Sequence, residues 1–141
     1  MSVTQSKLVD WDAFATARAE LGAGFVRILG YFQEDGTKSV EAIEVAMRAK
    51  NAAAMVIPAH TLKGEARQFG AGPLADAAER IELIARQCVE THDSPDEALE
   101  TVVGLRQLFD ETLMLLLREA NPLVERRQGF GKRSVSGFGR A

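Results

Sequence analysis

Seven positions, Phe25, Leu29, Phe32, Gly36, Val40, Ile43 and Met47, follow one another at intervals of 4, 3, 4, 4, 3 and 4 residues. This is the period of one helical face, and it keeps its phase from end to end. Asp35-Gly36 is a turn-like dipeptide, so two helices broken there are the competing reading. Unbroken phase favours one helix, bent at Gly36 and running to about Lys50. Along the body of the chain, Val, Ile and Thr never alternate with polar residues over a strand's length. A long amphipathic helix cannot bury its apolar stripe alone, so the chain has to supply other helices to cover it.

The flanking sequence supplies them. A short helix is expected from about Trp11 to Leu21, with Asp10 as its N-cap, before Gly22 and Gly24 loosen the chain. Ala52 to Phe69 forms another, with Met55, Leu62, Ala66 and Phe69 on one side. Gly70-Ala71-Gly72-Pro73 ends it and starts the next, which carries Leu74, Ala78, Ile81, Ala85 and Cys88 and stops near His92-Asp93. Ser94, Pro95 and Glu97 read as N-cap, N1 and N3 of a capping box. The last helix then shows Leu99, Val102, Phe109, Leu113 and Leu116 and stops by Asn121. The expected fold is all-α, an up-and-down antiparallel four-helix bundle with a short N-terminal helix and a flexible C-terminal tail.

At 141 residues the chain has room for one core. The expected division is a helical bundle over 1–121 and a basic, Gly-rich tail over 122–141. The tail holds Arg126, Arg127, Lys132, Arg133 and Arg140 against Glu125, a charge of +4, and a small repeat, Gly129-Phe130-Gly131-Lys132 and Gly137-Phe138-Gly139-Arg140. The preceding 121 residues carry 12 basic and 19 acidic side chains, a charge of −7. The tail reads as a solvated segment or as a basic arm toward an acidic partner. Overall the charge is −3, which argues against duplex nucleic acid as a partner. No apolar run approaches a membrane span and the N-terminus lacks a signal-peptide pattern. The single cysteine, Cys88, has no internal disulfide partner and sits on an apolar stripe as core. A cytoplasmic location is the resulting expectation.

One stripe does not belong to the core. On the helix from Ala52 to Phe69, Val56, His60, Lys63, Gly64 and Arg67 lie about 140° from the apolar side, at about 100° per residue. Their spacing makes them surface neighbours. A histidine with a lysine one turn ahead, an arginine two turns ahead and a side-chain-free glycine beside it suits an anion carried on the imidazole. No carboxylate or second histidine sits at metal-ligand spacing on that stripe. The plain alternative is an ordinary surface histidine. The next helix runs back after a turn centred near Ala71, which puts residue 82 level with His60. Glu82 and Arg86 lie there one turn apart, and Arg86 is a candidate second cation.

The run Ala59-His60-Thr61-Leu62-Lys63-Gly64-Glu65-Ala66, followed by Gly70-Ala71, resembles the histidine phosphotransfer (HPt) domain family, whose signature reads A-H-x-L-K-G-S-[SA] with G-A a few residues later. Leu74, Ala78, Ile81 and Glu82 match the family's L-x-x-x-[CA]-x-x-[LI]-E, and Leu29 and Phe32 its upstream L-x-x-F. Two positions depart from the pattern. Glu65 stands where the family often has Ser, and Pro58 removes a helix hydrogen bond two residues before His60.

The resemblance implies that His60 is a phosphoacceptor that exchanges a phosphoryl group with an aspartate on a response-regulator receiver domain, fed by a hybrid or upstream histidine kinase. Lys63 is then expected to hold a phosphate oxygen and Gly64 to leave room for the receiver. Arg67 and Arg86 are expected as supporting cations, with a solvated surface arginine as the alternative for each. Val56 and Ile57 are expected docking contacts, since a solvated stripe needs no valine. No ATP-binding loop or kinase motif is present, so the chain reads as a phosphocarrier and not an enzyme. No cofactor or metal of its own is expected, with Mg²⁺ supplied on the partner receiver domain. A monomer is expected. The rival reading is a non-phosphorylated helical docking or adaptor module.

Overall fold

The structure, a computed structural model, describes residues 7–120. The expected boundary at Asn121-Pro122 and the basic tail lie outside those residues. Among the described residues the α-helices from Trp11 onward are, in order, α1 Trp11–Leu21, α2 Phe25–Arg48, α3 Ala52–Gln68, α4 Gly72–Thr91 and α5 Leu99–Ala120. Single 3₁₀ turns, Gly22–Gly24 and Asp96–Ala98, precede α2 and α5. The fold is the expected all-helical one: α2 to α5 form the four-helix bundle, with α3 between α2 and α4, and α1 crosses one end. Among the described residues no helix is long and apolar enough to cross a membrane.

Local chemistry sets the helix ends. Asp10 caps α1, its carboxylate accepting from the backbone of Asp12 and Ala13 at 3.1 Å each. Asn51 Oδ1 does the same for Ala54 at the start of α3. Pro73 sits in the first turn of α4, where its missing N–H leaves nothing unpaired. His92 ends α4 in the left-handed conformation, φ 60°, with its N–H bonded to Cys88 O. Gly70 ends α3 at φ +78° and accepts from Asp10 N at 2.8 Å; a Cβ here would meet Asp10 O at 2.7 Å. That contact fastens α1 to the turn between α3 and α4.

α2 is one unbroken helix, as its phase predicts, and all seven stripe residues are buried. Gly36 is there because Phe109 of α5 lies against it: a Cβ would come within 2.5 Å of the ring. The helix α3 continues through Pro58. Phe14, Phe25, Phe69, Phe32 and Phe109 meet in sequence, mostly edge to face, with ring centroids 5.3–5.7 Å apart. Arg18 closes the end that α1 crosses, its guanidinium over the Phe14 and Phe25 rings and donating to Ala120 O at 3.1 Å.

Two local expectations fail. The capping box at Ser94 does not form. Ser94 Oγ donates instead to Asp96 Oδ1 at 2.7 Å, the same oxygen that Lys50 approaches at 3.3 Å, and Ala98 N turns back to Pro95 O. This closes a 3₁₀ turn and delays α5 to Leu99. Leu99 is exposed because it falls on the outer side of that first turn; Leu105 and Thr112 join the buried face instead. Cys88 is buried, its thiol against Ser94 O at 3.5 Å, with burial pushing its pKa up.

Candidate functional site

His60 stands on the outer side of α3, its side chain 61% exposed. Ala59, Leu62 and Ala66 bury the opposite side of the helix and fix that orientation. Across the seam, Glu82 of α4 reaches in from a position only 4% exposed. Its Oε2 lies 3.0 Å from His60 Nδ1 and accepts from Arg86 Nε and Nη2 at 2.9 and 2.8 Å. Its Oε1, sealed from water, has Lys63 Nζ at 2.7 Å as partner. One carboxylate thus ties the histidine to both cations.

Burial alone would raise the Glu82 pKa. The bonds from Lys63, Arg86 and His60 outweigh it and hold the carboxyl down at about 2, so it is ionised at neutral pH. An ionised carboxylate only accepts, so in the neutral ring Nδ1 carries the proton and Nε2 the lone pair. Nε2 is therefore the free nitrogen of a largely exposed ring.

Of the residues singled out in the sequence, the structure gathers His60, Lys63 and Arg86. Arg67 turns to Glu79 of α4, with Nη2 and Oε1 2.6 Å apart. A Cβ on Gly64 would meet nothing within 4 Å, so the surface beside His60 is open. Val56 is half-buried and Ile57 is 75% exposed. With Ala53, Arg86, Val89 and Glu90 they line a shallow groove of about 460 Å³ between α3 and α4, next to the histidine.

Glu82 is the member that sequence reasoning did not select. Its signal was present, since the antiparallel register sets residue 82 level with His60. That register names a position, not a contact. Among the described residues no cluster of three or more His, Cys, Asp and Glu could hold a metal ion.

On the other flank, toward α2, Glu65 is half-buried, with Oε1 sealed from water and meeting no donor. Burial first, and Asp35 of α2 within hydrogen-bonding reach second, push its pKa up to about 7.

The Hpt domain family model matches residues 27–119. The chain belongs to the Hpt domain family. The crystal structure of histidine-containing phosphotransfer protein B from Pseudomonas aeruginosa has the same fold, with a TM-score of 0.70 at 21% identity over 81% of this chain and 95% of that one. No curated protein sequence matches the chain significantly. Family membership gives it a histidine-phosphotransfer role in a phosphorelay.

Proposed function

We propose that His60 is the phosphoacceptor, and that its Nε2 exchanges a phosphoryl group with the aspartate of a response-regulator receiver domain. The observation that carries this is the Glu82 carboxylate against Nδ1: it accepts a hydrogen bond from Nδ1–H and leaves the lone pair on the exposed nitrogen. The Nε2 lone pair attacks the phosphorus of the receiver's acyl phosphate. A P–N bond forms, the P–O bond to the aspartate breaks, and the aspartate leaves as a carboxylate. Nδ1 keeps its proton, so the ring gains positive charge as the bond forms, and the Glu82 carboxylate balances that charge. Glu82 acts through His60 and is a positioning residue.

Phosphoryl transfer passes through a loose transition state, in which placement and charge do most of the work. Lys63 and Arg86 supply that charge at the edge of the ring, and Lys63 shifts from Glu82 toward a phosphate oxygen when the group arrives. Arg67, held by Glu79, contributes field and not a contact. Mg²⁺ belongs to the partner receiver's acidic site. The receiver docks over Gly64 with Val56 and Ile57 as apolar contacts, since a transient signalling interface can be small. The chain works as a carrier between a hybrid or upstream kinase and a receiver.

The test is incubation with a phosphorylated receiver or its kinase. An acid-labile, alkali-stable label is expected on the wild type and none on His60→Gln, whose melting temperature stays within a few degrees because an exposed ring contributes little core. Wild-type-like labelling of His60→Gln defeats the assignment. Absence of label on the wild type favours a docking module.

A further inference from the structure

The α2-facing flank of α3 holds a contradiction that a proton resolves. Glu65 points one carboxylate oxygen into a space closed to water and supplies no donor for it. The neighbour within hydrogen-bonding reach is a second carboxyl, Asp35. The cations of α3 that flank Glu65 in sequence are engaged on the other side, Lys63 with Glu82 and Arg67 with Glu79. On α2, exposed Tyr31 and Lys38 lie about one turn to either side of Asp35, and Glu34 beside it. On α1, which packs across the end of α3, Asp12 is exposed and Asp10 is engaged in capping its own helix. Asp35 is itself exposed and Glu65 half-buried, so two ionised carboxylates would leave the sealed Glu65 oxygen unpaired and facing a like charge, an arrangement relieved by retaining a proton.

We propose that Glu65 and Asp35 share one proton across the α2–α3 seam, and that its loss loosens this flank of the phosphoacceptor helix. The Glu65 carboxyl donates to the Asp35 carboxylate. When base removes that proton to solvent, two negative charges face each other and α2 and α3 are pushed apart locally. The folded chain keeps this proton up to about pH 7, whereas the unfolded chain releases it near 4.5. The stabilisation is therefore fully present below about 4.5, declines as pH rises, and is gone above about 7. The seam becomes a pH-responsive element in the neutral range. It is independent of whether His60 carries phosphate.

Carboxyl-detected ¹³C NMR of the full chain from pH 4 to 8.5 tests the shared proton. Glu65 Cδ is expected to titrate near neutrality and to fall by at least about one pH unit in Asp35→Asn, which removes the like charge. The melting temperature of the wild type is expected to drop relative to that of Glu65→Gln as pH rises from 5 to 8. Every other ionisable group is common to both chains and cancels in the difference. A Glu65 midpoint at the ordinary glutamate value, a midpoint unmoved by Asp35→Asn, or parallel melting curves for wild type and Glu65→Gln each overturn the proposal.

Discussion

Glu82 and Glu65 flank the same helix, one reaching in from α4 and the other turned from α3 toward α2, and each has an oxygen sealed from water. Around Glu82 stand Lys63, Arg86 and the Nδ1 proton of His60, and the carboxyl is held down at about 2. Beside Glu65 stands Asp35, and the carboxyl is pushed up to about 7. Burial acts on both in the same direction. The sign of the neighbouring charge decides which form survives it. The α4 flank is therefore a charged seam that orients a nucleophile, and the α2 flank a protonated seam that holds two helices together. Changes to one flank should leave the other's signature alone.

The largest expected effect is from Glu82→Gln, which keeps the shape and removes the charge of the α4 flank. Phosphotransfer should slow about tenfold or more, since roughly 1.4 kcal/mol of lost ring-charge balance is tenfold in rate. Stability near neutral pH should fall by about 1–3 kcal/mol, because Lys63 loses its buried partner while Arg86 resolvates. The Glu82 pKa is depressed on folding, so its stabilisation is present above about 4.5 and lost as pH falls toward about 2. The variant should lack that part of the acid limb of the denaturation curve. Ring ¹⁵N shifts separate positioning from structure: wild-type His60 should show a proton fixed on Nδ1, and the variant a mixture of tautomers. A single fixed tautomer in Glu82→Gln together with unchanged transfer would break the comparison.

The two flanks were not equally legible in the sequence. Spacing alone located seven of the nine buried residues of α2 and the apolar faces of α3 and α4, because helical period maps directly onto burial. The Ala59–Gly64 run marked His60, Lys63 and Gly64 as neighbours, since all lie on one short stretch of one helix. What lay outside that reading came from other helices. The engagement of Glu82, the pairing of Arg67 with Glu79 and the approach of Asp35 to Glu65 each join residues at least a dozen positions apart. Leu99 and Ser94 misled for a related reason: a cap competes with local side-chain bonds, and here the Asp96 carboxylate took the serine hydroxyl.

Gly36→Ala probes the α2 flank from its backbone side and should have a middling effect. In an open helix the change is favourable by about 0.5–1 kcal/mol. Here the new methyl would lie 2.5 Å from Phe109 Cε1, and that ring is buried and cannot swing away freely. Overpacking of this kind costs about 1–3 kcal/mol, so a net loss of about 1–2 kcal/mol is expected in chemical denaturation. Asp35 is next in the chain, so displacement of α2 should change the Glu65 titration while the His60 ring shifts stay as in the wild type. Movement of the His60 shifts instead would show that the flanks are mechanically coupled.

Gly64 is the counterpart of Gly36 and should give the smallest change in stability. It too lies inside a helix, but a Cβ there meets nothing within 4 Å. Gly64→Gln therefore gains helix propensity with no clash inside the chain, and stability should rise by up to about 1 kcal/mol. The added side chain stands one turn from His60 on the open surface, where a receiver would approach. Receiver affinity and phosphotransfer should both weaken, by about tenfold if docking contact at this point is lost. A residue kept small for the fold would show the reverse, reduced stability with normal affinity, as Gly36 should. Measured melting temperature and receiver Kd thus separate a glycine kept for a neighbour inside the molecule from one kept for a neighbour outside it. If Gly64→Gln bound and transferred as the wild type does, the docking face would have to lie elsewhere on the bundle.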